Sequence, residues 1–215
     1  MTELKLNAEK ALVFRITHRD NVPWVLDHGL HCARSAVQDP GFVGIGNADL
    51  IGLRREHALP PPCRGTLGDY IPFYFTPYSP MLNNIRTGWG GVARRERDEI
   101  MFLVTSLPRL RELGIDYVFS DRHAYLAAAR FSNATADLAD WIPWQQLQAR
   151  DFKKDPNDPG KFERYQAEAL VFQQVPIQAL LGIVCHGEAG AAAIRGLLAD
   201  RGIDLPVHVR PNWYF

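Results

Sequence analysis

The segment KFERYQAEALVFQQVP, residues 161–176, decides how this chain is read. Within it, Gln166 and Glu168 flank Ala167 and lead into an apolar run that ends at Phe172. In an extended chain, side chains two apart point the same way. Gln166 and Glu168 are therefore expected to share one face where a loop becomes a strand. A carboxylate beside an amide can hold a sugar hydroxyl and stabilise positive charge developing on its ring. A solvated Glu at the edge of an element is the competing reading, since Glu is usually exposed. The choice depends on the rest of the chain.

The chain has 215 residues, 47% of them apolar and 11% aromatic, enough for one sizeable core. Lys+Arg and Asp+Glu balance at 24 each, so net charge draws the chain to neither nucleic acid nor a membrane. Between Arg54 and Arg97 the basic residues are all arginine, the better fork for phosphate and the better plane for stacking. Cys32, Cys63 and Cys185 are sparse and widely spaced, which suggests neither a disulfide framework nor a zinc site and favours a reducing, cytoplasmic setting. His28, His31, His57, His186 and His208 show no metal spacing. No apolar run has membrane-spanning length, and the N-terminus shows no apolar signal core.

Residues 11–16 read as a strand, followed by capping residues at 19–21, a short helix and a stop at Gly29. Residues 33–66 are rich in Gly and Pro and read either as a binding loop or as a disordered insertion. An aromatic strand follows at 69–75, where Pro72 argues for an edge or a bulge. Ser79-Pro80 has the form of a helix cap and first turn, closing near Gly88. Strands are expected at 100–104, 117–119, 169–172, 182–185 and 207–210. Residues 124–160 form a second long excursion that begins with Ala-rich helical character. Many short strands with non-alternating helices point to an α+β fold.

Five stretches carry a resemblance: ITHRDN (16–21), GDYIPFYFTPYSPML (68–82), VFSDRHAYLAAARF (118–131), YQAEALVF (165–172) and RPNWYF (210–215). In this order, over nearly the whole chain, they resemble the DarT-type DNA ADP-ribosyltransferase toxins. The resemblance implies an ADP-ribosyltransferase-like split β-sheet core with flanking helices and two long functional loops, in a single domain over residues 1–215. It implies NAD+ as co-substrate, with no metal, and transfer of ADP-ribose to thymine or guanine of single-stranded DNA. The implied partner is a macrodomain-containing antitoxin, DarG. By position, Glu168 falls on the family's catalytic glutamate and Arg54 on its catalytic arginine. Arg15, Ile16, Thr17, Trp24 and Cys32 fall on the cofactor side, and His123 falls in the DRH motif beside the DNA. Where this chain has Arg15, DarT relatives more familiarly carry His, whereas other ADP-ribosyltransferases start this strand with Arg.

The chemistry fits these positions. Nicotinamide leaves NAD+ as a neutral amine, so the barrier lies in an oxocarbenium-like ribose that Glu168 can stabilise. Glu168 is also the natural base for the proton of an attacking ring nitrogen. Arg54, locked in its charged form, suits a phosphate clamp, and Gln166 can orient the incoming base. Bases must be unstacked to react. Tyr74, Phe75, Tyr78, Trp141 and Trp144 are candidate stacking platforms, each with a core position as its ordinary alternative. Two other readings stay open: transfer to RNA or protein on the same scaffold, and an inactive nucleotide- or DNA-binding module.

Overall fold

The strand Leu12–His18 (β1) seats the whole sheet. On one side it pairs antiparallel with Ile100–Ser106 (β4) along its full length, from Leu12↔Ser106 to His18↔Ile100. On the other side it meets Tyr70–Tyr74 (β3) at one residue pair, Phe14↔Tyr74. This computed structural model describes residues 4–215, so residues 1–3 of the expected domain lie outside it.

The remaining strands are Leu30–His31 (β2), Tyr117–Ser120 (β5), Phe131–Ser132 (β6), Glu168–Phe172 (β7), Gln174–Val175 (β8), Gly182–Cys185 (β9) and Val207–Val209 (β10). The eight-stranded sheet runs β10-β9-β4-β1-β3-β7-β5-β6, and β2 with β8 forms a separate ribbon. The β1–β3 contact thus divides the sheet into two halves, as the split core requires. Among the described residues eight α-helices accompany it: Val22–His28 (α1), Ala48–Arg55 (α2), Pro80–Thr87 (α3), Leu107–Glu112 (α4), Leu138–Trp141 (α5), Trp144–Gln148 (α6), Lys161–Arg164 (α7) and Glu188–Asp200 (α8). None is long and apolar enough to cross a membrane.

Past Phe14↔Tyr74 the two strands part, and Arg15 enters the opening, its guanidinium donating to the Pro72 carbonyl at 3.0 Å. This corrects the reading of Pro72. β3 lies in the middle of the sheet, yet Pro72 faces β1 where no ladder exists, so its missing N–H costs nothing there.

The main core is aromatic and aliphatic: Phe14, Phe73, Phe102, Phe119 and Leu103 are fully buried. The RPNWYF tail closes one half of the sheet. Trp213 sits edge-on to Phe14 and Phe102 at 5.3 and 5.8 Å, and the Tyr214 hydroxyl lies within hydrogen-bond distance of the Ile100 and Val184 carbonyls. α8 buries Ala191, Ile194 and Leu198, one helical stripe. A smaller core of Leu67, Tyr70, Val118, Ala124 and Leu170 supports the other half.

Several expectations are corrected. Residues 33–66 contain α2, a helix with no buried residue, whose Leu50, Ile51 and Leu53 are too short a run to show helical periodicity in the sequence. Residues 124–129 are turns rather than Ala-rich helix. Asn21 does not cap α1 with its side chain; that amide donates to the Val43 carbonyl and the Thr17 hydroxyl, and its oxygen accepts the Val43 N–H. Phe75 and Tyr78 are buried in the core. Trp144 packs on Phe75 at 5.5 Å, and Trp141 packs on Phe119 at 6.0 Å beneath Arg130.

Arg15→Met leaves the Pro72 carbonyl without its donor in a partly buried opening. We expect a loss of about 1–3 kcal/mol, read as a lower urea midpoint with an unchanged denaturant slope. Arg15→Lys, which keeps a charged donor, should recover part of it.

Candidate active site

The split in the sheet gathers the charged residues. Tyr74 ends β3 and pairs with Glu168, which opens β7. Glu168 is only 1% exposed, so the solvated-edge reading of this carboxylate fails. Its Oε1 accepts from Arg54 Nη1 at 2.9 Å and from the Ala124 N–H at 2.9 Å. Its Oε2 accepts from Arg54 Nη2 at 2.6 Å. Arg54 lies in the last turn of α2. The opposite end of that helix is held by Asn47, whose Oδ1 accepts the Leu50 N–H and whose amide donates to the Gly90 carbonyl. α2 buries no residue, Ile51 and Leu53 standing exposed, and these polar groups tie its two ends to the body.

The electrostatics follow from burial and pairing. Burial pushes the Glu168 carboxyl up, but the adjacent Arg54 charge and hydrogen bonds outweigh it and hold the group below the ordinary carboxylate range. Burial lowers the Arg54 guanidinium, yet Glu168 more than restores it, so the net shift is upward. Arg15, desolvated in the opening, falls to about 10 and stays charged at neutral pH. Tyr74 is pushed well above the usual phenol range by burial and then by the Glu168 charge. His123 is lowered, chiefly by burial, and is neutral at pH 7.

The structure therefore groups Glu168, Arg54, Arg15, Tyr74 and His123. It does not place Gln166 as expected. That residue is still in the helical turn after α7, its N–H donating to the Glu163 carbonyl and its side-chain amide to the Phe162 carbonyl. Strand alternation begins only at Glu168, so the two-apart argument does not apply. Thr17 is buried beside Asn21, and Ile16 gives its side chain to the core. Trp24 stacks on His28 at 4.6 Å. The Cys32 N–H donates to the Gln173 carbonyl just beyond the far end of β7, about 15 Å along the strand from Glu168. The seven arginines between Arg54 and Arg97 do not form one track. Arg64 pairs with Asp116, Arg95 with Glu99, and Arg97 donates to the Phe215 carbonyl.

Two features escaped the sequence. The Ser120 hydroxyl accepts the Glu168 N–H at 3.1 Å. His57 packs against Tyr125 at 4.7 Å, joining the segment after α2 to the turn that follows β5. Ser120 and Tyr125 lie in the stretch 118–131 that carries the resemblance, but no spacing rule assigns either a contact with a residue so far away in the chain. Among the described residues, no group of three His, Cys, Asp or Glu side chains is arranged to hold a metal ion.

Comparison with known proteins identifies the family. The family model of the ssDNA thymidine ADP-ribosyltransferase DarT matches residues 14–215. The chain belongs to the DarT family. The DNA ADP-ribosyl transferase of Escherichia coli O127:H6 (strain E2348/69 / EPEC) is 50% identical over 210 residues, which cover 98% of this chain and 96% of that protein. The structure of Thermus sp. 2.9 DarT in complex with ADP-ribosylated ssDNA superposes with a TM-score of 0.88 at 28% identity, covering 99% of this chain and 100% of that one. Thermus sp. 2.9 DarT in complex with NAD+ superposes with a TM-score of 0.82 at 29% identity, covering 96% and 98%. The α+β split sheet read from the DarT resemblance is thus the fold of DarT.

Removing either member of the Arg54–Glu168 pair strands a buried charge. Arg54→Met and Glu168→Leu should each cost about 3–5 kcal/mol, and the double variant much less than their sum, as urea unfolding will show. Because the Glu168 carboxyl is depressed in the folded state, its stabilisation is complete above the unfolded value of about 4.3. It is lost as pH falls through the lower folded value. The stability gap between the native protein and Glu168→Gln should therefore be flat from pH 5 to 8 and close only below about pH 4.3.

Proposed function

We propose that this DarT chain transfers ADP-ribose from NAD+ to a base of single-stranded DNA, thymine in the first instance as its family model is described, and releases nicotinamide. The observation that carries the proposal is the buried, ionised Glu168 at the mouth of the split sheet. A carboxylate offers about four acceptor sites. Oε1 serves two donors and Oε2 serves one, which leaves Oε2 an acceptor site for an incoming ribose hydroxyl or base N–H.

In the proposed reaction, the bond between ribose C1′ and the nicotinamide nitrogen breaks, and its electron pair leaves with nicotinamide. Glu168 stabilises the positive charge left on the ribose. A base ring nitrogen then bonds to C1′, and its proton passes to Glu168. Arg54 holds Glu168 in orientation and meets the anionic diphosphate. Arg15, Ile16, Thr17, Trp24 and Cys32 are assigned to the cofactor side, and Tyr74, His123 and Gln166 to the DNA side. Neutral His123 suits a hydrogen bond to a base edge rather than a phosphate contact. The whole chain, 1–215, acts as one catalytic domain. It is further proposed to be the toxin of a toxin–antitoxin pair whose partner is the macrodomain protein DarG. A cytoplasmic site of action accords with three unpaired cysteines.

Mass spectrometry of mixed-sequence single-stranded oligonucleotides incubated with NAD+ tests this. The native protein should add one ADP-ribose, and Glu168→Ala should lower the rate by roughly 10²–10⁴. Fragmentation will name the base, thymine or guanine. If folded native protein binds NAD+ but leaves DNA unmodified, the reading falls, and RNA and protein become the targets to try.

A further inference from the structure

β5 pairs with β7 only as far as Phe119↔Ala169. One residue later β5 peels away, so the Glu168 N–H has no ladder partner from β5. The Ser120 hydroxyl takes that place, accepting the Glu168 N–H at 3.1 Å, and it donates its own proton to the Arg122 carbonyl at 2.6 Å. Ser120 is fully buried. That second bond bends the chain into the turn that returns the Ala124 N–H to Glu168 Oε1 at 2.9 Å. Asp121, also buried, closes the turn from outside. Its carboxylate accepts from Arg122 Nε and Nη2 at 3.2 Å, from the Arg130 N–H at 3.0 Å and from Arg130 Nε at 2.8 Å. Glu168 is thus held at its backbone by Ser120 and at its carboxylate by the turn that Ser120 and Asp121 fix.

We infer that Ser120 is a positioning residue for Glu168, acting with the Asp121-closed turn to set the direction and charge of that carboxylate. The inference deepens the proposed reaction and rests on Glu168 acting in it. The separation matters because, once β5 leaves the ladder, the chain turns so that the Ala124 N–H reaches the same carboxylate that Arg54 holds. The other charged or titratable groups acting on Glu168 are Arg54 on α2, Tyr74 on β3 and His123 in the turn itself. Arg15 on β1 acts on Arg54 and Tyr74 in turn. Arg54, Tyr74 and Arg15 lie on elements outside that turn, whereas His123 lies within it and shifts with it.

In Ser120→Ala the Arg122 carbonyl loses its donor, the turn loosens, and the Ala124 N–H withdraws. With one donor to the charged form gone, the Glu168 carboxyl titrates at higher pH. Turnover at saturating NAD+ and oligonucleotide should fall about 10²-fold, with both KM values little changed. Ser120→Thr, which keeps the hydroxyl, should recover most of it. The decisive readout does not depend on activity: 13C NMR of carboxyl-labelled glutamate, with the Glu168 signal assigned by its loss in Glu168→Gln. An upward shift of that midpoint in Ser120→Ala, reversed in Ser120→Thr, supports the cradle even if no DNA adduct forms, in which case the proposed reaction alone falls. Unchanged Glu168 titration and turnover in folded Ser120→Ala overturn it, whatever the change in melting temperature. Asp121→Asn, which keeps an acceptor for the Arg130 N–H but drops the charge, should shift the midpoint the same way by less; no shift there would confine the cradle to Ser120 and overturn the part given to Asp121.

Discussion

One buried ion pair governs the assembly of this protein. Taking a carboxylate and a guanidinium out of water costs several kcal/mol per ion, a penalty offset only by good geometry and further hydrogen bonds. Arg54 and Glu168 meet that condition with a two-point fork, and the Ala124 N–H adds a third donor. Everything near them is arranged accordingly. α2 buries none of its residues, so polar contacts hold it against the body: the pair, Asn47 on the Gly90 carbonyl and the Thr66 hydroxyl on the Arg55 carbonyl. The turn after β5 gives up regular structure so that a backbone N–H can reach the carboxylate. Glu168 begins its strand at the point where β5 leaves.

The split between β1 and β3 provides the room. A continuous ladder would fill this space with backbone hydrogen bonds and leave no opening for charged groups. The structure instead keeps one pair, Phe14↔Tyr74, and lets the strands part beyond it. The freed backbone still needs partners. Arg15 supplies one for the Pro72 carbonyl, and the proline removes a donor that would otherwise be unmet. Arg15 therefore has a structural task independent of any ligand, which explains how a large, partly buried cation is tolerated at this position.

The parts legible in the sequence are those governed by local rules. β1, β4, β7 and β9 are apolar runs with clear stops. Ser79-Pro80 caps α3 as read, with the Ser79 hydroxyl accepting the Leu82 N–H, and Gly29 ends α1 with a left-handed backbone. The illegible parts are those where tertiary contacts override local preference. Alanines at 127–129 favour helix, yet Asp121 ties residue 130 back to residue 121 and a helix cannot satisfy that closure. α2 lacks the periodicity that reveals helices. Gln166 was assigned by strand alternation to a segment that is still helical. The Arg54–Glu168 pair spans 114 residues, a separation over which no spacing rule operates. Family resemblance singled out both residues, and the structure shows them as one buried ion pair.

The charges in the opening also bear on the order of events in the proposed reaction. At neutral pH two cations, Arg15 and Arg54, face one anion, Glu168, beside neutral His123. The surplus positive charge favours an anionic diphosphate on entry. Only Glu168 among these groups stabilises the cation that develops as nicotinamide departs, and its partner already saturates much of its acceptor capacity. A carboxylate so strongly paired is a weak base in the ground state. In the proposed reaction it gains basicity as the diphosphate competes for Arg54 and loosens the fork. On this argument cofactor binding, rather than DNA binding, prepares Glu168 for its second task, and the base that attacks last meets a carboxylate that NAD+ has already released in part from its arginine.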